Sequence, residues 1–262
     1  FHFSVSHKNI DDMVHAICTE VFMRSNYINE EIHTIYFGGG TPSLLSAHSL
    51  QMILAKIKNV LYVPADAEIT LEANPDDITS EKAADWLHAG INRFSIGVQS
   101  FYDEDLTWMN RAHQSEQAVQ AIGYIQAAGI QNITIDLIYG TPTLSDEHWK
   151  KNVEQAIALH IPHLSCYALT VEPKTALHKM IQQKKVAGVD PEKQSRHFEM
   201  LVQWMQDAGY EHYEISNFAK PGFRSRHNSS YWQGTHYLGI GPSAHSYNGN
   251  SRQWNISNNS LY

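Results

Sequence analysis

His33-Thr34-Ile35-Tyr36-Phe37 is a short β-branched and aromatic run that ends on Gly38-Gly39-Gly40-Thr41-Pro42-Ser43. Apolar runs of this length, stopped by glycine and proline, read as buried strands. The same unit recurs at 68–71, 93–98, 133–138 and 164–168. Between these runs, Leu50, Ile53, Leu54 and Ile57, then Ala118, Val119, Ile122 and Ile125, then Trp149, Val153, Ala156 and Ile157 keep helical spacing. Strand–helix alternation predicts an α/β fold with a parallel sheet and right-handed crossovers. A partial (β/α) barrel is the first expectation and an open doubly wound sheet the second.

The punctuation agrees. Ser46, Thr79, Ser115 and Ser145 stand where helix N-caps belong. Ala89-Gly90-Ile91, Ala128-Gly129-Ile130 and Ala208-Gly209-Tyr210 each offer a glycine for the left-handed residue that closes a helix. Asp190-Pro191 supplies a cap followed by a first-turn proline. From residue 173 the rhythm changes. Helical stretches at 175–183 and 191–208 lead into a glycine- and aromatic-rich run, 210–247, without helical periodicity, and a polar tail at 251–262 that reads as cut. The expected division is a barrel over 1–170 and a helical, aromatic-rich segment over 171–262.

Composition narrows the function. With 42% apolar residues, 15 glycines and 9 prolines among 262 positions, disordered and collagenous classes are excluded. No apolar run approaches the roughly 18 residues of a membrane span, and no signal pattern opens the sequence. A net charge of −8 with 19 Lys plus Arg argues against nucleic acid. The 2 cysteines make no disulfide framework, which points to a reducing, cytoplasmic setting. The 16 histidines include no His-x3-His pair and read as surface decoration rather than a metal site.

Ligands of parallel α/β folds meet the carboxyl ends of the strands. Here those ends carry the glycine triplet, then Glu72-Ala73-Asn74-Pro75, Gln99-Ser100, Asp136 through Gly140, and Tyr167-Ala168-Leu169-Thr170. The triplet lets a ligand lie on bare backbone, although a tight turn explains it equally well. Glu72, Gln99, Arg111 and Asp136 suit a ligand with hydroxyls and a zwitterion. Gly-x-Gly-x-x-Gly, Gly-Lys-Ser/Thr and Gly-x-Ser-x-Gly are absent, so hydride transfer, P-loop hydrolysis and serine-triad chemistry lose their anchors.

The strings Tyr36–Ser43, Leu71–Pro75, Phe94–Phe101, Asn110-Arg111 and Asp136–Pro142 together resemble the radical S-adenosylmethionine (SAM) proteins. The resemblance is to the group holding oxygen-independent coproporphyrinogen III oxidases and HemW-type heme chaperones. It implies a partial barrel with SAM across the strand ends. Gly39, Gly40 and Thr41 would border the methionine part, Glu72, Gln99, Arg111 and Asp136 would hold polar groups, and Ala168 would line the adenosine. His245, in Gly239–His245, belongs to a segment the family places near SAM.

His227-Asn228-Ser229-Ser230-Tyr231-Trp232 is similar to the chaperone branch. There His227 would ligate heme iron, Tyr231 and Trp232 would face the porphyrin, and Arg224 and Arg226 would meet propionates. The residues alone allow a hairpin with a turn-capping histidine instead. The function implied is binding heme and delivering it to a recipient hemoprotein. The alternative is oxidative decarboxylation of coproporphyrinogen III to protoporphyrinogen IX, so whether the chain is an enzyme stays open. A cluster-free barrel binding another nucleotide or sugar phosphate is a third reading. One departure stands out: the family holds a 4Fe-4S cluster on Cys-x3-Cys-x2-Cys, and neither Cys18 nor Cys166 lies in such a motif. Phe1-His2-Phe3-Ser4 resembles the segment after the third cysteine, so the first strand and cluster loop are expected upstream.

Overall fold

A computed structural model describes residues 10–262; the Phe1–Ser4 resemblance lies outside the described residues. Packing divides the chain into two units that interleave in sequence. One comprises the described residues up to Glu72 together with Ser80–Arg93 and Ser225–Tyr262, and the other Ala73–Thr79 and Phe94–Arg224.

The first unit opens with α1 (Ile10–Met23), β1 (Thr34–Phe37), α2 (Ala47–Val60), β2 (Glu68–Ala73) and α3 (Ser80–Ala89). β1 and β2 are parallel, with Thr34 opposite Glu68 and Tyr36 opposite Thr70. Because side chains alternate along a strand, Thr34 and Tyr36 share a face with Glu68, Thr70 and Glu72. The opposite face is apolar, with Ile69 and Leu71 buried. Ser46 caps α2 by accepting the Ser49 N–H at 3.0 Å. Leu50, Ile53 and Leu54 then form its buried stripe, and α2 packs between α1 and α3. The unit is completed by α9 (Arg226–Trp232), which lies against β1, and by the antiparallel pair β8 (His245–Tyr247) and β9 (Arg252–Trp254). Arg24, just after α1, fastens this last segment by donating to Gly239 O at 3.3 Å and Ser246 Oγ at 3.2 Å.

The second unit holds β3 (Arg93–Gln99, from Phe94 on), α4 (Asp103–Trp108), α5 (Ser115–Ala127), β4 (Ile133–Tyr139), α6 (Asp146–Ala158) and β5 (His163–Ala168). It continues through α7 (Ala176–Gln182), α8 (Pro191–Asp207), β6 (Glu211–His212) and β7 (Asn217–Ala219). β3, β4 and β5 run parallel; β7 joins β5 antiparallel and β6 joins β7 antiparallel. Strands covered on both faces bury nearly every residue, as Phe94, Ile96, Val98, Ile133, Ile135, Leu137 and Leu164 do here. The half-buried exceptions include Gln99, the last residue of β3, and Asp136, the central residue of β4.

Most of the expected punctuation is present. Gly90, Gly129 and Gly209 all take positive φ after their helices, and Asp190 Oδ1 accepts the Glu192 N–H at 3.0 Å. Three expectations are corrected. Ser115 is not a cap but the first helical residue: Gln114 precedes it, its N–H donating to Gln117 Oε1 at 2.8 Å, while the Ser115 N–H is taken by Asp103. The run 210–247 is not free of helix, since α9 lies within it. Seven residues make under two turns, too few to display a period. Cys18, which shares helical spacing with Met13, Ile17 and Val21 and so reads as core, is half-buried, whereas Cys166 is buried.

Candidate functional site

In the first unit, Gly39 and Gly40 take φ of +77° and +66°, values open to glycine at no steric cost. A Cβ on either would meet nothing within 4 Å, so the space above them is open. Their loop is fastened through Glu72. Gly39 N–H donates to Glu72 Oε2 at 2.9 Å, and Tyr36 O–H donates to Glu72 Oε1 at 2.8 Å. Gly38 serves another purpose: a Cβ there would stand 2.5 Å from Tyr36 Cε1. Thr41 follows and precedes a 3₁₀ turn, Pro42–Leu44, without spending its hydroxyl on a cap.

In the second unit, Gln99 closes β3 at φ +67°. Gly97 leaves room beside it, because a Cβ would lie 2.9 Å from Gln99 Nε2 and 3.3 Å from Arg111 Nη2. The Arg111 guanidinium donates to Asn74 Oδ1 at 2.9 Å, but its Nε is buried without a partner. Burial draws the Arg111 pKa down, while Asp76 and Asp136 act in the opposite sense. Asp136, on β4, accepts the Ser95 hydroxyl at 3.4 Å. Ala168 ends β5 opposite Tyr139. The unit therefore holds an amide, a guanidinium with an unfilled N–H, and a carboxylate, the donors and acceptors that a carboxylate- and amine-bearing ligand needs.

The third group surrounds α9, within the first unit. Ser225 Oγ caps the helix by accepting the Asn228 N–H at 3.1 Å. Glu68, only 5% exposed, accepts the N–H groups of Arg226 and His227, each at 3.0 Å. The His227 ring has Thr34 Oγ1 at 3.0 Å from Nδ1 and Tyr231 O–H at 3.2 Å from Nε2. It stacks on Tyr36, centroids 4.6 Å apart and planes 19° apart, and meets Tyr231 edge-on. Burial pulls its pKa down to about 4 against the opposing effect of Glu68, so at neutral pH it is an uncharged imidazole. Tyr231 and Trp232 are 51% and 63% exposed.

The helix replaces the hairpin that the residues also allowed. Arg224 and Arg226 are already engaged, with Glu211 Oε2 at 2.8 Å and Asp66 O at 2.7 Å. His245 is exposed on β8 opposite Trp254, and with Trp254, Ser243 and Ile256 it lines a cavity of about 390 Å³. Glu68, Thr34 and Tyr36 were not singled out from the sequence. Their signal was the two-residue period that sets Thr34 and Tyr36, and Glu68 and Glu72, on one strand face.

The description "Radical SAM superfamily" matches residues 8–156. The chain belongs to the radical SAM superfamily. This radical SAM chain is 37% identical over 227 residues to the protein named heme chaperone HemW of Bacillus subtilis, covering 86% of this chain and 60% of that one. It is 41% identical over 215 residues to heme chaperone HemW of Escherichia coli, covering 82% and 56%. It thus spans about three-fifths of the length of these relatives. The coproporphyrinogen III oxidase HemN of Escherichia coli superposes with a TM-score of 0.81 over 98% of this chain and 62% of that one, at 22% identity. The α/β, TIM-like fold with a parallel sheet is therefore shared, as expected from the sequence.

The superfamily implies SAM and a 4Fe-4S cluster. In the first unit the open glycine loop fits close approach of a ligand such as SAM, and in the second the unfilled Arg111 Nε–H fits a ligand carboxylate. The cluster is not fitted by this chain. Cys18 sits on α1, Cys166 is buried with its thiol pushed far up by desolvation, and the described residues contain no group of three or more metal-ligating side chains. No described helix is long and apolar enough to cross a membrane.

Proposed function

We propose that this chain is the SAM- and heme-binding part of a radical-SAM-type heme chaperone, one that takes up heme and hands it to a recipient hemoprotein in the cytoplasm. The single observation that carries the reading is the environment of His227: an imidazole kept neutral beside two exposed aromatic side chains. A neutral ring nitrogen is what an axial ligand must offer, and Tyr231 and Trp232 supply flat apolar faces for a porphyrin. The names of the relatives at 37% and 41% identity point the same way. Nε2 would hold heme iron in place of its contact with the Tyr231 hydroxyl. Because Tyr231 is half-exposed, water replaces that lost bond at little cost.

SAM is assigned to Gly39, Gly40, Thr41 and Glu72, with Gln99, Arg111, Asp136, Ala168 and His245. When bound, SAM supplies a sulfonium and, in its superfamily, a source of radicals. In this reading the carboxylate of Glu72 and the amide of Gln99 orient its polar groups, and Arg111 turns its Nε–H to a carboxylate. Residues 1–170 then carry the proposed SAM residues other than His245, and 171–262 carry His245 and the heme ligand.

The test is heme titration followed by visible absorption. The wild type is expected to give a saturable spectrum of nitrogen-ligated heme, and His227→Ala to lose it. An unchanged spectrum and affinity in the variant would remove His227 as ligand. SAM binding without decarboxylation of coproporphyrinogen III in the full-length, cluster-loaded protein favours the chaperone; turnover favours the oxidase.

A further inference from the structure

Within the first unit, Tyr36 touches both Glu72, beside the glycine loop, and His227, on α9. Its hydroxyl donates to Glu72 Oε1 at 2.8 Å. Its ring stacks on His227 at 4.6 Å with the planes 19° apart. Both contacts are specific in geometry, and the groups at their far ends are held in turn. Gly39 N–H occupies the second oxygen of Glu72, and Thr34 Oγ1 occupies Nδ1 of His227. The ring edge of Tyr36 also lies 2.5 Å from where a Cβ on Gly38 would stand, a closeness allowed because residue 38 is glycine. The carboxylate, the phenol and the imidazole thus form a continuous line of packed groups.

We propose that Tyr36 is a positioning residue that couples occupancy at Glu72 to occupancy at His227, so that SAM and heme do not bind this chain independently. The inference rests on the reading above, that Glu72 serves SAM and His227 serves heme. Glu72 has one oxygen on Tyr36 and the other on the glycine loop, so a ligand that engages the loop and the carboxylate immobilises both bonds. That fixes the phenol ring, and the ring fixes the plane of the imidazole stacked on it. Heme arriving second meets a ligand side chain whose ordering cost has already been met, which is positive cooperativity without a large movement. Coupling between two binding sites is reciprocal: heme bound at His227 must tighten SAM by the same factor.

Two titrations test it, heme by visible absorption and SAM by isothermal calorimetry, each run alone and with the other ligand saturating. In the wild type, each affinity is expected to rise by about fivefold or more when the other ligand is present, the lower end of typical coupling, and by equal factors. Tyr36→Phe keeps the stack and removes the hydroxyl; its factor is expected to fall toward one. Tyr36→Leu, which loses the stack as well, is expected to do the same. A merely structural role would weaken binding equally with and without the second ligand, leaving the factor unchanged.

A wild-type factor of one, with both ligands binding, overturns the coupling and leaves the proposed function standing. A factor that survives in both variants shows coupling by another route and also overturns the role of Tyr36. Heme binding indifferent to His227→Ala brings down the reading itself, and the inference with it.

Discussion

Glu68 Oε1 accepts the backbone N–H of His227 at 3.0 Å, so a carboxylate on a buried strand anchors the helix that presents the candidate heme ligand. Its other oxygen accepts the Arg226 N–H at 3.0 Å. Helix N-termini leave N–H groups without intrahelical partners, and the helix dipole favours an anion there. Glu68 is 5% exposed, so water does not readily replace it. A buried donor left unmatched costs about 1–3 kcal/mol. Glu68→Ala, which leaves these two N–H groups and the Ser225 hydroxyl (3.4 Å) without their acceptor, is therefore expected to lose about 2–6 kcal/mol in urea unfolding. Glu68→Gln keeps an acceptor without its charge and should lose roughly half as much. Both should weaken heme binding, because His227 loses its backbone anchor. Unfolding curves that superpose on the wild type would show that these bonds contribute nothing.

The depressed pKa of His227 has two consequences. The unfolded chain takes up this proton near pH 6.5 and the folded chain only near pH 4, the value to which burial pushes it. Between those limits the unfolded state holds more protons, so stability rises with pH. This contribution is complete above pH 6.5 and is lost as pH falls toward 4. Replacing His227 by Phe removes the proton uptake, so melting temperature should fall less steeply from pH 6.5 to 4.5 in the variant. The second consequence concerns ligation. An ordinary histidine is about nine-tenths protonated at pH 5.5, whereas His227 stays neutral. Heme affinities measured at pH 7.5 and 5.5 are expected to agree within about twofold, and a tenfold loss at pH 5.5 would return the imidazole to its ordinary range.

Gly38 and Gly39 are neighbours that should fail differently. A methyl on Gly38 would press on Tyr36 Cε1 at 2.5 Å and Glu72 Oε1 at 3.0 Å, so ring or carboxylate must move. Overpacking of this kind costs about 1–3 kcal/mol. A methyl on Gly39 meets nothing within 4 Å and pays only for φ of +77°, about 1–2 kcal/mol. Yet it projects into the open space above the loop. Gly39→Ala should therefore lose SAM affinity, measured by calorimetry, out of proportion to its stability. A variant binding SAM as tightly as the wild type would show that the ligand does not approach this backbone.

The strands and helices were legible because each carries a local signal. Continuous apolar runs give β3 and β4, helical stripes give α2, α5 and α6, and glycine gives three helix ends. The candidate SAM residues were legible as polar groups at strand exits and as family motifs. What stayed hidden depends on distant partners. Glu68 reads as an ordinary strand-opening charge until Ser225 and His227, far along the chain, are brought to it. The helix α9 is equally hidden, since it is short, polar and held by that carboxylate rather than by an apolar stripe. The antiparallel strands β6 and β7 have 2 and 3 residues, too few for a period.

Asp105, on α4, is 2% exposed and accepts two hydroxyls, Ser100 Oγ at 2.8 Å and Thr143 Oγ1 at 2.5 Å. Asn152 of α6 extends the network, donating to Ser100 Oγ at 3.1 Å and accepting the Phe101 N–H at 2.7 Å. These bonds fix the chain as it leaves β3, immediately after Gln99. Removing the carboxylate leaves two hydroxyls without their acceptor, and Asp105→Ala is expected to lose about 2–4 kcal/mol of stability. Thr143→Val removes one of the same bonds and should cost about 1 kcal/mol. Because the two changes delete a shared interaction, the double variant should lose less than their sum by about 0.5–3 kcal/mol. The loosened exit from β3 should also weaken SAM binding through Gln99, which is a positioning effect and so falls on affinity. Strict additivity in the double-variant cycle would mean that Asp105 and Thr143 act separately, and the network would not be the unit that holds this strand end.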